Sequence, residues 1–149
     1  MKNQILRIIA TLSSLVLLAG VALYAQSSGI MIANIPFNFS VGKTALPAGE
    51  YFVKPISQAA LLIQSEKSPA RVIVMTMPVQ AKKSPAVGKL VFNRYGDQYF
   101  LSKVWHPDNR TGRELSSSRL ERELAKAVPD HLTVFITALS EAVQVQLQF

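Results

Sequence analysis

Cysteine is missing altogether from the 149 residues. That excludes disulfides, thiolate metal sites, thiol nucleophiles and a lipid anchor on cysteine, so any folded domain must hold together by apolar packing. Histidine is scarce. His106 and His131 stand 25 positions apart, with no His-x-x-x-His and no carboxylate–His spacing that reads as a metal site. Neither a glycine-rich phosphate loop nor a Gly-x-Ser-x-Gly elbow occurs, which removes the sequence basis for nucleotide binding and for an elbow-type serine hydrolase. Ser116-Ser117-Ser118 reads as helix capping rather than as a nucleophile. Glu121 and Glu123, two apart, do not share a helix face and make poor partners for acid–base work. No cofactor is expected. Acidic residues are also few, nine against 16 basic ones, giving a formal net charge of +7.

The one long apolar run lies at the start. Lys2 and Arg7 flank a short positive segment, the run from Ile8 to Leu23 follows, and small residues sit at Ala22 and Ala25. This is the pattern of a secretory signal peptide over 1–25, with cleavage expected after Ala25, leaving one exported domain over 26–149. The run barely reaches the length of a span and lacks a basic stop-transfer cluster, so no membrane span is expected after cleavage. The mean hydropathy of +0.23 owes much to this leader. Ten basic residues lie between Lys82 and Lys126 against five acidic ones, a regional excess that suits an anionic envelope polymer or another protein as partner; nucleic acid is not expected.

The rest reads as strands. Ile35, Phe37, Phe39 and Val41 alternate with Asn38 and Ser40 as one half-buried strand, the Pro47-Ala48-Gly49 turn follows, and a second strand runs to Pro55. Residues 72–77 are apolar on both faces and are expected in the interior. Lys-Ser-Pro-Ala occurs at 67–70 and at 83–86, each before a β-rich run, as two similar turns would.

Gly96-Asp97 fits a two-residue hairpin turn of type II′ or I′. It sets Tyr95 opposite Gln98, Phe92 opposite Leu101 and Leu90 opposite Lys103, collecting Leu90, Phe92, Tyr99, Leu101 and Trp105 on the expected core face, with Lys103 near an edge.

Ser118 with Glu121 forms a capping box, Arg119 and Glu123 pair at i, i+4, and a helix is expected over 118–127, ending before Pro129. The stretch 130–149 suits either a helix face or two strands, and its β-branched content with the alternation from Val143 to Phe149 favours strands. The architecture expected is mainly β, a single small β-sandwich or open barrel of about seven strands with one helix.

Several of these segments together resemble small exported β-rich proteins common in acidobacterial genomes. They are Ile35-Pro36-Phe37-Asn38-Phe39, the turn from Leu46 to Tyr51, the hairpin from Arg94 to Leu101, and Gly112-Arg113-Glu114-Leu115 before a charged helix. The resemblance covers roughly 33–126 and implies export and a compact β-domain, with no catalytic residue to carry over.

The residues themselves offer one candidate binding surface, in which Arg94, Tyr95, Arg110 and Arg113 flank Tyr99 and Trp105 as an aromatic–basic patch. Packing accounts for Tyr99 and Trp105 more simply. The expectation is a non-catalytic exported protein, periplasmic or extracellular, with a binding or structural role. Its rivals are an outer-membrane barrel, suggested by the terminal Phe149, and a small periplasmic hydrolase.

Overall fold

The computed structural model describes residues 29–128 and 130–140. The leader and the alternation from Val143 to Phe149 lie outside the described residues. Ten strands and one helix follow in chain order: β1 (Met31–Ile35), β2 (Phe39–Val41), β3 (Thr44–Leu46), β4 (Gly49–Ser57), β5 (Ala60–Ser65), β6 (Arg71–Gln80), β7 (Gly88–Tyr95), β8 (Gln98–Trp105), β9 (Thr111–Leu115), α1 (Arg119–Ala127) and β10 (Leu132–Ser140). The helix is too short and too polar to cross a membrane.

The sheet runs β8-β7-β10-β1-β4-β5-β6-β9 and closes where β9 pairs with β8, making an eight-stranded antiparallel barrel. The expected sandwich or open barrel is thus corrected to a closed one. Closure removes both sheet edges and leaves an interior just wide enough for side chains to fill. Met31, Ala33, Ile35, Tyr51, Val53, Leu61, Ile63, Leu90, Phe92, Leu101, Val104, Leu115 and Ala138 supply that filling, all buried.

All eight barrel strands run antiparallel to their neighbours, and the two ends of the barrel differ. At one, the hairpin end, β1 gives way to Pro36, which divides the expected 35–41 strand into β1 and β2. The apolar face survives the break. Phe37 stacks on Tyr99 with ring centroids 3.8 Å apart and meets Phe92 edge-on at 5.2 Å, while Phe39 meets Tyr51 at 5.1 Å and Phe92 at 5.6 Å. The short β2–β3 hairpin, joined to β8 by one parallel pair at Ser40 and Phe100, thereby plugs this end with aromatic rings. The Tyr51 hydroxyl donates to the Pro47 carbonyl at 2.7 Å, and burial raises its pKa above the ordinary value.

The turn chemistry at Gly96 is as expected, with φ +60° there and none positive at Asp97, the type II′ pattern. The register starts as expected, Tyr95 opposite Gln98 and Phe92 opposite Leu101, but a bulge at Ser102 of β8, facing the step from Phe92 to Val91, then sets Leu90 opposite Val104. One extra residue inverts every later side chain. Trp105 and Lys103 therefore stand on the outer wall, Trp105 packed over Gly112 and Lys103 paired with Glu114 at 3.6 Å, instead of on the core face.

Two further expectations change. β4 passes through Pro55 with an irregularity before Ser57, so that proline does not end the strand. β6 has only one buried face; Ile73, Met75 and Met77 point outward, 57–67% exposed, because no described element covers the outer side of this barrel strand. The 130–140 stretch is a single strand, β10, lodged between β7 and β1. Helix α1 starts one residue after its cap: the Ser118 hydroxyl accepts from the Glu121 N–H at 3.1 Å, and Arg119 pairs with Glu123 at 3.0 Å.

Candidate functional site

The end of the barrel away from the β7–β8 turn carries a cleft of about 610 Å³. It is built from the entry to β1 (Gly29), Pro55 of β4, the β4–β5 turn (Gln58, Ala59), Pro78 of β6, and the β8–β9 connection with the start of β9 (His106, Pro107, Asn109, Thr111, Gly112, Arg113). Three prolines give it stiff apolar walls that bring no backbone donor.

Hydrogen bonds between sequence-distant groups hold the rim. Ala81 N–H donates to the Arg110 carbonyl and Asp108 N–H to the Pro85 carbonyl, both at 2.8 Å. Asp108 takes φ +56°, a left-handed conformation that aspartate tolerates better than most residues. Asn109 Oδ1 accepts from the Thr111 N–H at 2.9 Å, and Gln80 Nε2 donates to Thr111 Oγ1 at 2.8 Å.

His106 Nε2 lies 3.0 Å from the Gly29 carbonyl. Since a carbonyl only accepts, Nε2 carries the proton and Nδ1 is left as an acceptor when the ring is neutral. Burial pushes the His106 pKa below its ordinary value, with the Arg113 charge acting in the same direction and the Gly29 bond opposing.

Arg113, half-buried, donates from Nη1 to the Gln58 carbonyl at 2.8 Å and reaches Thr76 Oγ1 at 3.5 Å. Burial lowers its pKa too. Among the described residues the ion pairs are Lys103–Glu114 and Arg119–Glu123, so this guanidinium has no carboxylate partner there.

The aromatic–basic patch divides between the two ends. Arg94, paired with Tyr99 beside the turn, donates from Nε to the Gly96 carbonyl at 2.7 Å and stands 5.3 Å over the Tyr99 ring. Tyr95 is buried against Phe100 and His131, and burial, aided by the Glu121 charge, raises its pKa. Arg113, opposite Val104, and exposed Arg110 belong to the other end. Of the four, Arg113 alone lines the cleft.

Sequence reasoning missed His106, Asn109 and Gln58 as members of one site. The turn residues Pro107 to Gly112 marked a loop, but only barrel closure brings it against residues 29 and 55–59.

In chemical terms the cleft offers a cation, a neutral imidazole, amides and a hydroxyl, and the described residues of its lining include no serine or carboxylate. Among the described residues no three His, Asp or Glu side chains gather as metal ligands do. Comparison with family models, curated proteins and solved structures finds no significant match to the chain.

Proposed function

We propose that this is an exported, non-catalytic envelope protein whose barrel acts as a solid support for a binding cleft at one end. The observation that carries the reading is the contrast between a barrel filled with side chains and a rim cleft whose described lining gathers a cation, an imidazole and amides between proline walls. A rigid scaffold presenting a polar concavity on connecting loops suits recognition. Export rests on the basic segment and apolar run before Ala25. Intact-mass measurement of the protein from the cell envelope tests it: the expected species begins at Gln26, and retention of Met1 overturns the export reading.

The strand number also favours an outer-membrane barrel. Against that, spanning strands run to about 9–11 residues around a polar lumen, whereas β1 and β9 have five residues each and the lumen here is apolar. Fractionation separates the two, since a spanning barrel pellets with the outer membrane and resists salt.

A further inference from the structure

We propose that the cleft takes an acidic saccharide unit, its carboxylate or phosphate gripped side-on by the Nε–Nη2 edge of Arg113. The inference rests on the binding reading above and supplies its ligand class.

The arrangement of Arg113 is the starting point. Both hydrogen bonds it makes with described residues leave from Nη1, to the Gln58 carbonyl and to Thr76 Oγ1. Anchoring that nitrogen fixes the plane of the guanidinium and leaves the opposite edge, Nε–H with Nη2–H, unspent. That edge matches two oxygens of a carboxylate or phosphate in a fork of parallel charge-assisted hydrogen bonds. A half-buried cation without a carboxylate beside it gains more from such a partner than an exposed one, because water screens it less.

The other free groups point to the same class. Asn109 has committed Oδ1 to the Thr111 N–H, so Nδ2 is what it has left to offer, a donor. His106 has committed its proton to the Gly29 carbonyl, so Nδ1 is left to accept from a hydroxyl. Two donor sites and one acceptor suit a hydroxylated acid. The size decides between an ion and something larger: about 610 Å³ is far more than a bare anion fills and falls in the range of pockets that hold small organic molecules. Pro55, Pro78 and Pro107 then serve as apolar walls for the carbon faces of a ring.

Trp105 fluorescence offers one reading and calorimetry a second. Trp105 is the single tryptophan, and its ring, on the outer wall, lies on Gly112, whose neighbour Arg113 lines the cleft, so it follows this end while the heat of binding registers occupancy that leaves the indole unmoved. Purified protein is titrated with glucuronate, glucose 6-phosphate, inorganic phosphate and glucose. A saturable response to glucuronate or to glucose 6-phosphate, absent with glucose, is expected; which of the two responds identifies the carboxylate or the phosphate as the natural group.

Arg113→Lys keeps the charge and loses the fork, so affinity should fall by about tenfold or more. Asn109→Asp keeps the Oδ1 acceptor and the loop while adding a negative charge, and should also weaken both acids, which covers the case in which the Arg113 variant fails to fold. Arg110→Ala, outside the lining, should bind as the parent does. No saturable response to either acid up to about 10 mM, or unchanged affinity in both Arg113→Lys and Asn109→Asp, overturns the proposal. Inorganic phosphate binding as tightly as glucose 6-phosphate overturns its saccharide part. Glucose binding as tightly as glucuronate overturns the oxyanion assignment while leaving a binding protein in place, and the export reading is judged separately by mass and fractionation.

Discussion

The two ends of the barrel solve opposite problems with the same strands. At the hairpin end Phe37, Phe39, Tyr51, Phe92 and Tyr99 interlock as edge-to-face and stacked rings, and the buried Glu121 carboxylate accepts from Asn93 Nδ2 at 3.0 Å. At the cleft end a histidine and an arginine are partly desolvated, their pKa values are lowered, and hydrogen-bonding capacity is left over. On the proposed reading stability is concentrated at one end and recognition at the other, so a hairpin-end substitution should leave binding largely intact.

The largest effect expected from this division belongs to Phe92, fully buried and touching both Phe37 and Phe39. Phe92→Ala should cost about 3–5 kcal/mol in urea unfolding, by lost transfer energy and the cavity left behind. A cost below that of any cleft substitution would dissolve the comparison.

Gly112→Ala should follow, since a Cβ there runs into the Trp105 ring. The displaced indole should cost about 1–3 kcal/mol and shift the emission maximum, an optical change that the hairpin-end variants should not produce.

Gly96→Val comes next. Nothing stands within 4 Å of the site a Cβ would occupy, so the expected loss of about 1–2 kcal/mol is backbone strain at φ +60° alone. Thermal melts should show it without any change at Trp105.

The smallest effect sharpens the comparison by pH. His106 is held below its ordinary value near 6.5, chiefly by burial, so the unfolded chain takes up the proton first. Its contribution to stability is therefore complete above pH 6.5 and declines as pH falls through that value towards the folded one. Replacing His106 with Asn should flatten that part of the stability profile, whereas Phe92→Ala should lower the whole profile without changing its slope there.

Local chemistry was legible and long-range pairing was not. Gly96, the Ser118 cap, and the alternation through Ile35, Phe37, Phe39 and Val41 each act over a few residues, and their structural counterparts stand where the residues imply, though the Glu121 carboxylate of the expected capping box accepts from Asn93 instead. The bulge at Ser102 has no glycine or proline to announce it, so the sequence read on in unbroken register and put Trp105 on the wrong face. The seat of β10 between β7 and β1 depends on segments far apart in the chain, and no local pattern encodes it. The cleft inherits that difficulty: Arg113 was visible as a basic residue, but its partner Gln58 is 55 positions away.

The position of β10 has a kinetic consequence. Seven of the eight barrel strands are complete by Leu115, yet they form an open sheet until Leu132–Ser140 enters, and the pair Met31–Ser140 that joins its far end to β1 spans nearly all of the described chain. Contacts of such sequence separation are slow to form because the loop entropy is lost before they return any energy. A chain synthesised from its N-terminus thus stays unlocked, with the edges of β1 and β7 both unpaired, until its last described strand is available. Truncation before Leu132 should accordingly trap an aggregation-prone open sheet rather than a smaller barrel.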